Sequence, residues 1–440
     1  MSTIRVLTLV FSLAPLAAGA EDLVAIYGLA KDSDPQLRAA QAEYRATIQA
    51  KPQARAGLFP SVDASARESR NKEDFTRTFG GVTDSDSTDY DSTTYSLSVT
   101  QPLFRYANLA RNRLANDTVQ RAEAQLSAAE QSLVLRAAEG YFNVLSARAE
   151  VEFARSEKTA TARQLEQAKK RFEVGMIAIT DVHEAQAAYD AAVAQELAAE
   201  NQLANAREAL RELTGRYHTD LAGLTGRMPL VSPEPADMDK WTEVALEQNL
   251  QLRAARFSAQ EARDNVDVNR AGYYPNVDVV ASRDHFDSGG GTFGSRESDT
   301  DTIALQLSAN LYQGGLTNAR VREAEHLYTQ SREQVEVQRR AALRQTRDAY
   351  RGVNTGISRV TALKQAIVSA ESALEATEAG FEVGTRTIVD VLLAQRNLFR
   401  ARRDYAQARY EYIVNTLRLK QAAGTLEPGD LQRINTWLEQ

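Results

Sequence analysis

Two long stretches of this chain, residues 103–228 and 276–427, contain no proline. Proline has no N–H to give a helix and clashes with the preceding turn, so helix interiors exclude it. Both stretches are dense in Ala, Leu, Glu, Gln and Arg, the strong helix formers. Ala115, Val119, Ala122, Leu126, Ala129 and Leu133 follow a 4-3-4-3-4 spacing, and Leu398, Ala401, Tyr405, Ala408 and Tyr412 a 3-4-3-4 spacing. That is a coiled-coil seam, with alanines permitting close approach. Asn108 to Phe172 has 65 residues and one internal glycine, Gly140. At 1.5 Å per residue it reaches about 100 Å, longer than any ordinary globular helix. The chain must build rods.

It also repeats itself. Phe172-Glu173-Val174-Gly175 recurs as Phe381-Glu382-Val383-Gly384, and Ile179-Thr180-Asp181-Val182 as Ile388-Val389-Asp390-Val391, both shifted by 209 residues. Upstream the shift is 215: Gln36-Leu37-Arg38-Ala39-Ala40 matches Gln251-Leu252-Arg253-Ala254-Ala255, and Pro60 in Leu58 to Asp63 matches Pro275 in Tyr273 to Asp278. The expected organisation is a leader over 1–20, a first repeat over 21–228, a Pro-rich linker over 229–235, a second repeat over 236–434 and a tail over 435–440.

The leader reads as an export signal: Arg5, an apolar run from Val6 to Leu16, and Ala18-Gly19-Ala20 before Glu21. No later stretch approaches the roughly 18 apolar residues of a spanning helix. The absence of cysteine excludes disulfides, thiolate metal sites, a cysteine nucleophile and an N-terminal lipidated cysteine. His183, His218, His285 and His326 include no i, i+4 pair to hold a metal. A formal charge of −7 argues against a nucleic-acid partner. No cofactor is expected. Asp181 and Asp390 superficially suggest a catalytic carboxylate pair, but no cleft-forming domain surrounds them and no hydrolytic motif accompanies them, so no enzyme is expected.

Each repeat carries short segments of period-two alternation, which puts apolar residues on one face of a strand. Tyr95 to Thr100 and Ile303 to Leu311 are the clear ones; Val62 to Ala66 and Val277 to Val280 are weaker. Between the paired strands, Asn71 to Thr94 and Asp287 to Asp301 read as long exposed loops, while Phe59, Phe104, Tyr273, Tyr274 and Tyr312 crowd the opposite ends. Four strands form either a soluble cap on the coiled coil or part of a membrane barrel. In a membrane they cannot close alone and no open edge is tolerated, so two copies would give eight strands and three would give twelve.

In Tyr141-Phe142-Asn143-Val144-Leu145, Arg171 to Val182, Val368 to Ala379 and Gly384 to Leu392 the sequence resembles the TolC family of trimeric outer-membrane efflux channels, in its non-lipidated branch. The resemblance implies a mainly α protein with a transmembrane β part. The duplicated chain would give four strands to a twelve-stranded trimeric β-barrel, continued by a long α-helical coiled-coil barrel. It implies an exit duct in the outer membrane of a Gram-negative bacterium, extending into the periplasm. There a homotrimer in the lipid bilayer would work with a periplasmic adaptor (membrane fusion) protein and an inner-membrane transporter, in small-molecule efflux, type I protein secretion or both. A pore-less coiled-coil scaffold is the competing class, and the alternating strands with their aromatic girdle separate the two.

The same resemblance assigns roles. Val174-Gly175-Met176 and Val383-Gly384-Thr385 would be the tips where the adaptor docks. Arg386, with Thr180 and Asp181 as acceptors, would link neighbouring hairpins of the closed gate, and Lys170 with Glu378 would form a second link. Phe381 stands where the family has a gating tyrosine, and Asp390 matches one of two aspartate rings at the pore constriction; Leu393 stands at the other. In residue terms, glycine weakens each rod at Gly175 and Gly384, and Thr180 or Thr387 can cap the helix that resumes.

Overall fold

The computed structural model describes residues 20–226, 228–291 and 294–439. The expected export signal lies outside them, save Ala20. In chain order come helices α1 (Leu23–Ser33), α2 (Pro35–Thr47) and α3 (Ala50–Ala56), strands β1 (Ser61–Phe79) and β2 (Val82–Phe104), and helices α4 (Tyr106–Glu173) and α5 (Ile179–Thr214). The second half supplies α6 (Met238–Gln248), α7 (Leu250–Arg270), β3 (Asn276–Ser288), β4 (Arg296–Ser308), α8 (Leu316–Glu382), α9 (Ile388–Ala423) and α10 (Pro428–Asn435). The bounds of α1 recur in α6 at a shift of 215, and those of α5 in α9 at a shift of 209.

The chain divides into two compact units. One unit, Ala40–Ser127 with Leu250–Ala341, holds a single antiparallel sheet in the order β1-β2-β3-β4. Its register places Val62, Val99, Ala281 and Ile303 side by side in one row, and Ala64, Leu97, Arg283 and Asp301 in the row above. The other side of the sheet is polar, with rows Asp63-Ser98-Ser282-Thr302 and Ser65-Ser96-Asp284-Thr300. The apolar side is bare: Ile303 is 83% exposed and Leu305 70%. Among the described residues no helix is long and apolar enough to cross a membrane.

The strands are longer than alternation alone indicates. Asn71 to Thr94 is not a loop: β1 and β2 pair without a break from Ser61↔Thr100 to Phe79↔Val82, turning at Gly80-Gly81. Both glycines have positive φ, 61° and 86°, as a two-residue hairpin turn requires. Likewise, Asp287–Ser288 and the residues from Arg296 to Asp301 belong to β3 and β4. The Ser, Thr and Asp content that suggested loops is compatible with strand where both faces meet water. At the opposite end, Arg105 holds Asp278 by two bonds of 2.7 and 2.8 Å, fixing the start of α4 to β3.

The other unit comprises, among the described residues, 20–39, 128–249 and 342–439. Its core gathers Leu23, Ile26, Tyr141, Phe142, Leu210, Tyr412, Ile413 and Leu431. The Tyr141 hydroxyl donates to the Ala222 carbonyl at 2.7 Å, so the ring is buried without leaving its polar end unpaired. The tail is also packed: Leu438 is buried and the Glu439 N–H reaches the Gly223 carbonyl at 2.8 Å. Along α5 the buried residues Ala185, Ala192 and Ala199 recur every seven, the spacing of a coiled-coil seam.

Candidate channel gate and docking tips

Both long hairpins turn by the same device. At the end of α4 the Gly175 N–H bonds the Phe172 carbonyl and the Met176 N–H the Arg171 carbonyl, each at 2.8 Å. At the end of α8 the Gly384 N–H bonds Phe381 at 3.1 Å and the Thr385 N–H bonds Gly380 at 2.8 Å. This pair of bonds stops a helix by turning one residue left-handed, here Gly175 at φ 78° and Gly384 at φ 79°. The turns leave apolar side chains in the open: Val174 is 70% exposed, Met176 72% and Val383 75%.

The helices that resume are capped unequally. At α9 the Thr387 hydroxyl accepts from the Asp390 N–H at 3.3 Å, while the Asp390 carboxylate accepts from the Thr387 N–H at 2.9 Å and its hydroxyl at 3.0 Å. These bonds, backbone first, together with the nearby Arg386 charge hold the Asp390 carboxyl below the usual carboxylate range. At α5 the capping residue is Ala178, not Thr180, which lies inside the helix. Only half the box forms there, with the Ala178 N–H donating to Asp181 at 3.3 Å.

The remaining gate candidates find other neighbours within the chain. Lys170 pairs with Glu166 at 2.7 Å on its own helix, and Glu378 accepts from Gln395 at 3.4 Å. Arg386 folds its stem over Gly380, where a Cβ would lie 2.7 Å from the Arg386 Cγ. Phe381 lies beneath the Arg171 guanidinium, 4.5 Å from its ring centre. Arg171 and Gly380 are therefore parts of the tip with no role assigned from the sequence. Besides opening the segment from Arg171 to Val182 that carries the resemblance, Arg171 is signalled by its place in the last turn of α4, where a cation complements the helix dipole. Gly380 is signalled only by being a glycine inside a helix, where the residue is costly without a close approach to justify it.

A bare apolar sheet face with two open edges, joined in one chain to two long helical hairpins with apolar tips, defines a subunit of an outer-membrane channel. The outer membrane efflux protein family matches residues 26–216 and 241–425, and the chain belongs to that family. It is similar to the outer membrane protein TolC of Vibrio cholerae, with 38% identity over 427 residues, covering 96% of this chain and 95% of that protein. It is also similar to the alkaline protease secretion protein AprF of Pseudomonas aeruginosa, 31% identical over 410 residues, with 93% and 85% covered. The solved structure of the outer membrane protein VceC from Vibrio cholerae has the same fold, with a TM-score of 0.77 and 22% identity over 91% of this chain and 96% of that one. The family is one of channels in the outer membrane that work within efflux or secretion machinery.

Proposed function

We propose that three copies of this chain form a passive exit duct, each giving four strands to one twelve-stranded barrel, and that the duct joins an inner-membrane transporter through a periplasmic adaptor. The observation that carries this is the sheet: its β1 and β4 edges are open and its exposed side is apolar. An open edge in lipid leaves backbone groups without partners, so copies must close it. Similarity to the AprF secretion protein supports type I protein secretion beside small-molecule efflux. No catalytic step is assigned to any residue.

In this reading the exposed Val174-Gly175-Met176 and Val383-Gly384-Thr385 turns meet the adaptor. Arg386 reaches Thr180 and Asp181 of a neighbouring hairpin in the closed gate, Lys170 and Glu378 face each other across copies, and three Asp390 carboxylates surround the axis. An arginine fork suits a carboxylate and a hydroxyl together, and a ring of carboxylates favours cations. Sedimentation of the detergent-purified protein tests the assembly: a trimer is expected, and a stable folded monomer would refute the barrel.

A further inference from the structure

The β1–β2 hairpin rises ten residue pairs beyond the last pair that β2 shares with β3, from Arg70↔Asp91 to Phe79↔Val82. At about 3.3 Å per residue this two-stranded ribbon is about 33 Å long. Directly paired residues point to the same side, so the ribbon's two sides can be followed up from the sheet. The side that carries Val62, Ala64, Leu97 and Val99 becomes wholly polar in the ribbon: Arg70, Lys72, Asp74, Thr76 and Thr78 against Thr83, Ser85, Ser87, Asp89 and Asp91. The side that carries Asp63, Ser65, Ser96 and Ser98 instead acquires Phe75, Phe79, Val82 and Tyr90. The apolar pattern changes sides within one unbroken register.

The two parts of the hairpin therefore answer to different surroundings. Lipid explains the apolar side of the sheet. It does not explain apolar residues on the side continuous with the polar inner wall, which all copies share. The base of the ribbon is braced: a Cβ on Gly290 would lie 2.8 Å from the Tyr90 Cβ, and the Tyr90 hydroxyl donates to Glu73 at 3.4 Å. Its tip is bare, with Phe79 88% exposed. Twelve strands about 4.8 Å apart and tilted about 40° enclose a barrel of about 12 Å radius. The ribbon is nearly three times that long, and two-stranded ribbons twist strongly, so copies around one axis can wrap on one another as they rise.

We propose that the ribbons of neighbouring copies pack through Phe75, Phe79 and Val82 to form a lid over the outer mouth of the channel. The occupant of this surface is a second copy of the same ribbon, and the proposal rests on the trimeric barrel. The same side also carries Glu73, Asp84 and Asp86 against one arginine, Arg77. Like charges thus oppose closure, which makes the lid sensitive to salt: screening reaches about 30 Å at 0.01 M and only about 10 Å at 0.1 M.

The chain has no cysteine, so single thiols can be placed on either side of the ribbon. Purified trimers of Phe75→Cys, Phe79→Cys, Thr76→Cys and Thr78→Cys are oxidised and the disulfide-linked dimers counted. Bridging needs Cα atoms within about 7 Å, so the two phenylalanine positions should give about tenfold more dimer than the threonine positions. Their yield should rise between 0.01 and 0.1 M salt. Equal yields on both sides, or none, in a protein that still sediments as a trimer would overturn the lid alone. A monomer would overturn the trimeric barrel and the lid with it. Labelling of the Phe79→Cys thiol by a lipid-partitioned maleimide in outer-membrane vesicles would place the tip on the bilayer and also overturn the lid.

Discussion

The guanidinium of Arg171 stands 4.5 Å from the centre of the Phe381 ring, so the last turn of α4 grips the last turn of α8. Where a tyrosine would offer a hydroxyl, this chain offers a ring face, and the contact joins the two hairpins of one subunit. An exposed contact of this kind contributes about 0.5–1 kcal/mol, a bias of about two- to fivefold. Arg171→Ala and Phe381→Leu should therefore raise the open fraction of single channels in planar bilayers by about that factor. Phe381→Tyr keeps the ring and should leave the channel as closed as the parent or more so. Open fractions equal to the parent's in all three variants would show that the contact plays no part in the proposed gate.

The rods, the duplication and the turns at Gly175 and Gly384 were legible in the sequence because helix composition, direct repetition and glycine each leave a mark in it. The proline-free stretches contain α4 and α8 whole, and the Phe-x-Val-Gly repeats mark the turns at Gly175 and Gly384. The ribbon from Arg70 to Asp91 was not, because Ser, Thr and Asp signal a loop wherever no face is buried. The local geometry around the proposed gate residues was legible only in part. Thr387 follows the capping rule at α9, but nothing local distinguishes Ala178 from Thr180 as the residue preceding α5. The Arg171–Phe381 contact joins residues 210 positions apart, beyond the reach of any spacing rule.

The two αL glycines that end α5 and α9 should not be equivalent. Gly215 at φ 79° has only Ser33 nearby, 3.7 Å from an added Cβ, so Gly215→Ala should cost about 1–2 kcal/mol, the left-handed penalty alone. At Gly424, φ 80°, the Cβ would fall 2.2 Å from the Gln248 carbonyl oxygen. Gly424→Ala must displace the backbone between α6 and α7 and should cost more than about 4 kcal/mol. Melting of the two variants in detergent should separate them widely; similar midpoints would mean that the α6–α7 junction yields.

Acid should loosen the junction between α1 and α2. Asp34 is buried there, and burial alone would raise its carboxyl. The Arg136 hydrogen bonds at 2.6 and 3.2 Å, the Leu37 N–H and the Arg136 charge overturn that and hold it below the ordinary range. A depressed folded value contributes stability that is full above the unfolded value of about 3.9 and is lost as pH falls through the lower folded value. Melting midpoints should thus fall below about pH 4, and the fall should be smaller in Asp34→Asn. At neutral pH, Arg136→Ala leaves the carboxylate buried and unpaired. Because Arg136 keeps 28% of its side chain in water, the cost should be near the low end for a broken buried pair, about 3 kcal/mol.

Asp390 has one observed role, in the helix cap, and one proposed role, at the constriction, which different variants can separate. Its carboxylate closes the capping box with Thr387, and in the proposed trimer it also lines the constriction, where Leu393 supplies no second acid. Thr387→Ala removes the hydroxyl but keeps the carboxylate. It should cost about 1 kcal/mol of α9 stability and leave block by a multivalent cation from the periplasmic side intact. Asp390→Ala removes both functions, so the block should disappear together with the cap. Arg386→Ala removes the proposed charge-assisted links, each worth about 1.5–3 kcal/mol, and should raise single-channel conductance, with Lys170→Ala adding to it. The measurement is a cation titration against wild type and each variant in planar bilayers. Block that survives Asp390→Ala would move the constriction elsewhere along the tunnel. Block lost in Thr387→Ala as well would show that the carboxylate acts through the helix start and not as a ring of charge.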